Sequence, residues 1–294
     1  MSIPDHKYMT TSELAELLRI KERKVYELAA AGDVPCSRAM GKLLFPRDQV
    51  EVWLAASSSG PIHSTTPERP AVMLGSHDPL LEWAMRESRC GLAGYFDSSL
   101  DGLVRFSENA GVAAGAHILT SDGQGWNTEA VASRFSGQPV VLVEWAKRQR
   151  GLIIAPSLQP HLKSLSDLKG KRMVARQAEA GSQILLSHLL NEAGIALTDI
   201  KWSEPARSEA DAALLVQDGS ADAAFGLACI ARQLRLDFIP VAEERYDLLV
   251  DRRSWFEPPM QTLVKYCSTP AFEKRAATLH GYDVSNQFTV HYNG

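Results

Sequence analysis

No stretch of this sequence approaches the roughly 18–20 consecutive apolar residues that a membrane-spanning helix needs, so no helical membrane span is expected. The opening residues, MSIPDHKYMT, lack the apolar segment of a secretory leader. A soluble, cytoplasmic protein with no membrane partner is the expectation. Cysteine is scarce: Cys36, Cys90, Cys229 and Cys267 lie far apart with no CxxC pair. That spacing signals neither a zinc site nor a disulfide framework. The GxSxG elbow of a serine hydrolase and the GxxxxGK[ST] phosphate loop are both missing. An excess of either charge is missing too. Lys and Arg number 31 against 35 Asp and Glu, a net of −4, so whole-chain charge does not point to nucleic acid.

What is present is an ordinary globular composition, 45% hydrophobic and 22% charged, over 294 residues, enough for two domains. A Ser/Thr/Pro/Gly-rich stretch, AASSSGPIHSTTPERPA, has no apolar period and reads as a linker. The expected division is a small domain over 1–56, a linker over 57–70 and a large domain over 71–294. The charge is unevenly distributed. Between Arg19 and Arg47 seven basic residues face three acidic ones, and such a local basic face can bind phosphates on an acidic protein.

The small domain reads as helices with a hairpin. Thr10 and Glu13 form a capping box, and Leu14, Ala15, Leu17 and Leu18 mark a buried stripe. A tight turn at Ile20 leads to a second helix with Val25, Leu28 and Ala29 inward, ending at Gly32. A hairpin turns around Ala39–Lys42 with Gly41, and Pro46 opens a last helix carrying Val50, Trp53 and Leu54. Two helices joined by a tight turn form a helix-turn-helix, whose second helix can enter the major groove. Lys21, Arg23 and Lys24 stand at the start of that helix, and Arg38 and Lys42 stand in the hairpin as in a wing.

Residues Tyr8–Leu54 resemble the excisionase/MerR-type winged helix-turn-helix. Tyr8, Thr10, Glu13, Ala15, Leu18, Val25, Tyr26, Gly32, Pro35, Arg38, Gly41, Phe45, Trp53 and Leu54 carry the likeness, with Val34 where Leu is usual. The resemblance implies a double-stranded DNA operator as partner, contacted by Lys21, Arg23, Lys24, Tyr26, Arg38 and Lys42.

The large domain alternates strand and helix, which predicts an α/β fold with a largely parallel sheet. PVVLVEW and GLIIAP read as separate strands, as do LDFIPV and RYDLLVD, and Pro258–His280 reads as helix. Three strand-to-helix junctions carry hydroxyls: Ser76 with His77 and Asp78, Ser98 with Ser99, and Gly181 with Ser182 after Arg176 and Gln177. Free N–H groups at such helix starts suit anions, although each serine also serves as a cap. His77 and His117 have no third ligand at metal spacing and read as hydrogen-bond donors; Asp78, before Pro79, reads as a helix cap.

The segments LGSHDPLLEWA, GLAGYFDSSLDGLVRF, RQRGLIIAP, VARQAEAGSQILLSHLL and LDFIPVAEERYDLLV resemble a cytoplasmic domain like the periplasmic binding proteins, over roughly Val72–Arg253. That implies a two-lobed type 2 fold, with molybdate or tungstate as ligand class and no other cofactor. Carried over by position, the ligand residues are Ser76, His77, Asp78, Ser98, Ser99, His117, Asn127, Arg176, Gln177, Gly181, Ser182, Glu244, Arg245 and Tyr246. Glu209 joins them as a departure. Ser208-Glu209 replaces a usual Thr-His, Gly181-Ser182-Gln183 a usual Gly-Thr-Arg, and Pro156-Ser157-Leu158 a usual Gly-Asn-Pro. A lost cation and a gained acid shift the expectation toward a monovalent, neutral or zwitterionic organic ligand, with the oxyanion kept as what the resemblance implies.

Together these point to a non-enzymatic, one-component transcription regulator: a homodimer that reads DNA with its small domain and senses a small-molecule effector with its large one. The alternatives are an enzyme or accessory protein of molybdopterin metabolism and an excisionase-like DNA-architectural protein.

Overall fold

A computed structural model of the chain describes residues 6–39, 41–57, 68–158 and 161–294. The chain divides into two compact units, Met1–Glu68 and Arg69–Gly294. Residues 58–67 of the expected linker, and Met40 in the expected hairpin turn, lie outside the described residues.

The first unit contains β1 (Tyr8–Met9), α1 (Thr11–Leu18), α2 (Glu22–Ala31), β2 (Ser37–Ala39), β3 (Lys42–Pro46) and α3 (Arg47–Ala56). Thr10 and Glu13 cap α1 reciprocally: the Thr10 N–H donates to Glu13 Oε2 at 2.7 Å and the Glu13 N–H to Thr10 Oγ1 at 3.3 Å. Arg19, left-handed at φ 53°, ends α1 three residues before α2 begins, which makes the tight turn. Gly32 ends α2 at φ 78°. The three strands form an antiparallel sheet in the order β1-β3-β2. Met9, Leu14, Val25, Phe45 and Val50 are buried at its centre.

Two expectations fail here. Leu17 is exposed, because at 100° per residue it falls outside the arc of Leu14, Ala15 and Leu18. Pro46 ends β3 rather than opening α3, since the added strand β1 pairs it with Tyr8, and a strand end tolerates the missing N–H.

The second unit is built as two lobes on one mixed sheet. The first lobe contributes β4 (Val72–Gly75), α4 (Pro79–Ser88), β5 (Ala93–Phe96), α5 (Ser99–Ser107), β6 (Ala113–Ala116) and α6 (Thr128–Phe135). Strand β7 (Val140–Ile154) then carries the chain across to the second lobe. That lobe holds β8 (Arg172–Met173), α7 (Gly181–Glu192), β9 (Lys201–Trp202), α8 (Glu209–Gln217), β10 (Ala223–Leu227) and α9 (Ala228–Gln233). Strand β11 (Asp237–Asp251) returns antiparallel to β7. The chain finishes against the first lobe with α10 (Arg252–Trp255), α11 (Pro258–Cys267), α12 (Pro270–Thr278), β12 (Tyr282–Asp283) and β13 (Val290–Asn293). The sheet order is β5-β4-β6-β11-β7-β10-β8-β9, with β12 and β13 on β7.

The sheet is parallel only within each lobe; β6-β11-β7-β10 are antiparallel. The four short strands expected around AKRQR and AEER are two strands of 15 residues each, about 50 Å long at ~3.4 Å per residue. Their charged middles continue the strands because they pair with one another, Arg148 opposite Glu244 and Lys147 opposite Arg245. Alternation puts Met73, Val143, Leu248 and Val250 under α4, α11 and α12, and Leu74, Leu142 and Leu249 under α5 and α6. In the second lobe Leu152 and Ile154 face α7 while Ile153 faces α8 and α9.

Gly115 on β6 has no room for a side chain, because an added Cβ would overlap the Tyr246 hydroxyl. That hydroxyl donates to the Ser76 carbonyl at 2.5 Å and so fixes the loop from β4 to α4. We expect Gly115→Ala to destabilise the protein by about 1–3 kcal/mol, the usual cost of overpacking, as read from urea denaturation; an unchanged midpoint would contradict this packing.

Candidate ligand cleft and nucleic-acid interface

A cleft of about 300 Å³ opens between the lobes of the second unit. Ser76, His77, Pro79, Phe96 and Asp97 line it from the first lobe. Arg176, Ala180, Ser182, Arg207, Ser208, Glu209, Ala210, Leu227 and Ile230 line it from the second. The starts of α4, α7 and α8 lie at this opening, and the backbone N–H groups of a helix's first turn carry partial positive charge.

Arg176 is held as a fixed fork. Its Nε donates to the Ala206 carbonyl at 2.9 Å and its Nη2 to the Arg207 carbonyl at 3.0 Å, while Nη1 is buried without a hydrogen-bond partner. Glu209 meets Arg150 through Oε1 at 2.6 Å, and its Oε2 has no hydrogen-bond partner. Ser182 on α7 and Ser76 at the end of β4 are buried, and Ser76 Oγ lies 2.8 Å from Ser99 Oγ. His77 is exposed and pairs with Glu82 at 2.9 Å.

Beneath the cleft runs a chain of buried charges. On β7, Arg148 and Arg150 project to one face, as residues two apart in a strand must. Arg148 reaches Asp78 at 2.9 Å and Glu244 at 2.5 Å, and it stacks 4.2 Å from the centre of the Tyr246 ring. Arg150 reaches Glu244 at 2.7 Å and Glu209 at 2.6 Å. Asp78 caps α4 by accepting from the Leu81 N–H at 2.7 Å, and also accepts from Trp145 Nε1 at 3.0 Å and the Tyr282 hydroxyl at 2.6 Å. His117 Nδ1 lies 2.9 Å from Glu244 Oε2.

Burial alone would raise the carboxyls of Glu244 and Glu209. For Glu244 the charges of Arg148 and Arg150 outweigh burial and hold it well below the usual range. For Glu209 Arg150, Arg148 and Arg176 do the same. Burial lowers the His117 imidazole below its usual 6.5 against the pull of Glu244. The Cys229 thiol, buried beside these carboxylates, is pushed up to about 12.

Of the residues expected at the ligand, Ser76, His77, Arg176, Ser182 and Glu209 stand on the cleft wall. Asp78, His117, Glu244 and Tyr246 lie in the charge chain below it. Ser98 caps α5 through the Asp101 N–H, and Ser99 accepts from the His117 N–H. Asn127 joins the Ile118 N–H to Asp247, and Arg245 pairs with the same Asp247. Gln177 donates to the Arg207 carbonyl. Gly181 lies against His117, whose carbonyl leaves no space for a Cβ. Sequence reasoning missed Asp97 and Arg207 on the wall and Arg148 and Arg150 below it. The pairing of KRQR with EER across two apolar strands is the signal that could have found the last two.

In the first unit the residues expected on DNA are all exposed. Lys21 caps the start of α2 without a side-chain bond, and Tyr26 is exposed on the same helix. Arg23 and Lys24 both lie 3.3 Å from Glu27. Such exposed pairs are worth about 0–1 kcal/mol, so a phosphate can displace the carboxylate. Arg38 and Lys42 stand on β2 and β3 of the hairpin.

Residues 81–268 match the PBP superfamily domain and residues 8–58 a helix-turn-helix domain. The uncharacterized protein YvgK of Bacillus subtilis (strain 168) is 23% identical over 295 residues, covering 93% of this chain and 94% of its own length. PhnD1 from Prochlorococcus marinus (MIT 9301), solved in complex with methylphosphonate, is similar with a TM-score of 0.53 and 11% identity, over 74% of this chain and 91% of that one. The ancestral amino acid-binding protein AncCDT-1, a precursor of cyclohexadienyl dehydratase, gives 0.50 and 11%, over 71% and 93%. At these identities the two structures show the two-lobed fold alone. Among the described residues no helix is long and apolar enough to cross a membrane, and no cluster of His, Cys, Asp and Glu is placed to hold a metal ion.

Removing one partner from a buried ion pair leaves the other uncompensated, at a cost of about 3–5 kcal/mol. Glu244→Gln is therefore expected to lower stability by that order in chemical denaturation. The pH dependence follows from His117. Below its usual 6.5 the unfolded chain takes up a proton that the buried imidazole refuses, so stability falls as pH drops through that value. His117→Gln should lose less stability than the parent between pH 7.5 and 5.5; an equal loss would contradict a neutral, buried His117.

Proposed function

The chain belongs to the PBP superfamily, joined to a helix-turn-helix domain, and on that premise we propose that it is a ligand-responsive transcription regulator. The observation that carries this reading is the cleft. Two lobes joined by two long strands enclose about 300 Å³, at the small end of ligand pockets, and a fixed arginine presents an unsatisfied nitrogen there. The anionic group of an effector lies against Arg176 Nη1, Ser182 and the start of α7. Molybdate and tungstate, implied by the family resemblance, belong among the anions to try. Closure of the lobes around the effector changes the affinity of the reading domain for its operator, and a coupling of about 1–3 kcal/mol suffices for a five- to 150-fold switch.

The protein acts in the cytoplasm as a homodimer on two operator half-sites, because one small reading domain contacts too little DNA for tight specific binding. Lys21, Arg23 and Lys24 meet the major groove and its phosphates, with Tyr26 beside them, while Arg38 and Lys42 meet the backbone as a wing. A binding function is favoured over catalysis because a PBP superfamily domain joined to a helix-turn-helix domain fits a regulator.

Each Lys or Arg that neutralises a phosphate contributes about 0.9 to the slope of log K against log salt. Arg23→Ala with Lys24→Ala should weaken binding to duplexes from the upstream region of its own gene and flatten that slope by about 2. An unchanged affinity and slope would remove α2 as the reading helix. Arg176→Ala should abolish effector-induced thermal stabilisation while leaving DNA binding intact; a full thermal shift in that variant would move the effector elsewhere.

A further inference from the structure

The charges at the cleft balance, and this defines the effector more narrowly. Arg176 and Arg207 on the wall are matched by Asp97 and Glu209, and Arg148 and Arg150 below it by Asp78 and Glu244. Four guanidinium groups thus meet four carboxylates, a net of zero. A tetrahedral dianion in such a cleft would stand beside two wall carboxylates with no net positive charge to hold it, and like charges brought together are a strong device for exclusion. The groups left without partners among the described residues come from both lobes. The unsatisfied guanidinium nitrogen belongs to Arg176 of the second lobe, while the exposed Asp97 carboxylate faces it from the first. Burial lowers the Arg176 guanidinium, Glu209 opposes this most strongly among the carboxylates, and Asp97 adds a smaller pull from the other lobe. Glu209 adds a second carboxylate oxygen without a hydrogen-bond partner. The wall also carries the apolar side chains of Pro79, Phe96, Leu227 and Ile230.

We propose that the effector is a zwitterion with an apolar body, a primary ammonium and carboxylate carried on a chain of leucine or phenylalanine size. The assignment rests on the regulator reading and narrows it. The carboxylate takes the free Arg176 nitrogen and the start of α7. The ammonium lies between Asp97 and Glu209, so it bonds to both lobes and draws them together. The apolar body covers Phe96, Leu227 and Ile230. Glu209 is the residue that distinguishes this cleft from an oxyanion site, and Asp97 is its counterpart on the other lobe.

The test is calorimetry on the full chain with five probes: L-leucine, L-phenylalanine, 4-methylpentanoate, 3-methylbutylamine and molybdate. The two amino acids should bind, and deleting either charge should weaken binding by tenfold or more. Molybdate should not bind. Asp97→Asn provides the second arm, because an exposed carboxylate can be replaced without disturbing the fold, as its melting temperature will verify. It should weaken L-leucine about tenfold and leave 4-methylpentanoate unchanged or tighter. Equal affinity for L-leucine and 4-methylpentanoate, or tighter binding of molybdate than of either amino acid, would overturn the zwitterion while leaving a ligand-sensing cleft in place. Silence from all five probes would overturn it too. The regulator reading itself fails only if, in addition, the small-molecule fraction of a cell extract leaves DNA affinity unchanged.

Discussion

The second unit depends on one buried carboxylate, Glu244, shared by two buried guanidinium groups. Arg148 extends from it to Asp78 at the start of α4, and Arg150 extends from it to Glu209 at the start of α8. A continuous ladder of opposite charge therefore runs from one lobe to the other through the middle of β7 and β11. Charges so deeply buried are tolerable only when each has its partner, and the partners here come from four separate elements. Such a ladder is a poor source of net stability compared with an apolar core. It fixes register: a slip of one residue between β7 and β11 would turn Arg148 and Glu244 to opposite faces.

The same ladder gives the cleft its chemistry. Glu209 is both the last rung and a wall residue, so whatever binds at the cleft acts directly on the charge that ties the second lobe to the strands. Arg176 is fixed by backbone carbonyls and leaves one nitrogen for a ligand. A binding event at these two residues would thus touch both the cleft wall and the interlobe ladder. The proposed ligand and the interlobe ladder would in this way share the same side chains, which is the physical requirement for a sensor.

Much of the architecture was legible because its signals are local. The Thr10–Glu13 capping box, the Asp78-Pro79 helix start and the Gly32 stop each concern a few neighbouring residues, and each appears where the sequence indicates. So do the strand–helix alternation and the hydroxyls at the helix starts. The long strands were not legible, because KRQR and EER look like breaks until they are set opposite one another. Their pairing spans nearly a hundred residues. The wall of the cleft was legible only in part for the same reason. Ser76, Ser182 and Glu209 sit at helix starts that pattern reveals and Asp97 directly precedes the cap of α5, whereas Arg176 and Arg207 are brought together by a bridge between Arg176 and Ala206.

The central claim is that the cleft and the reading helix form one linked system. Linkage is reciprocal: a ligand that changes DNA affinity must have its own affinity changed by DNA by the same factor. The direct measurement is the affinity of a cleft ligand for the full chain, free and saturated with operator duplex. The account predicts a difference of about five- to 150-fold, matching the effect of the ligand on duplex affinity. Equal ligand affinities with and without the duplex would contradict it.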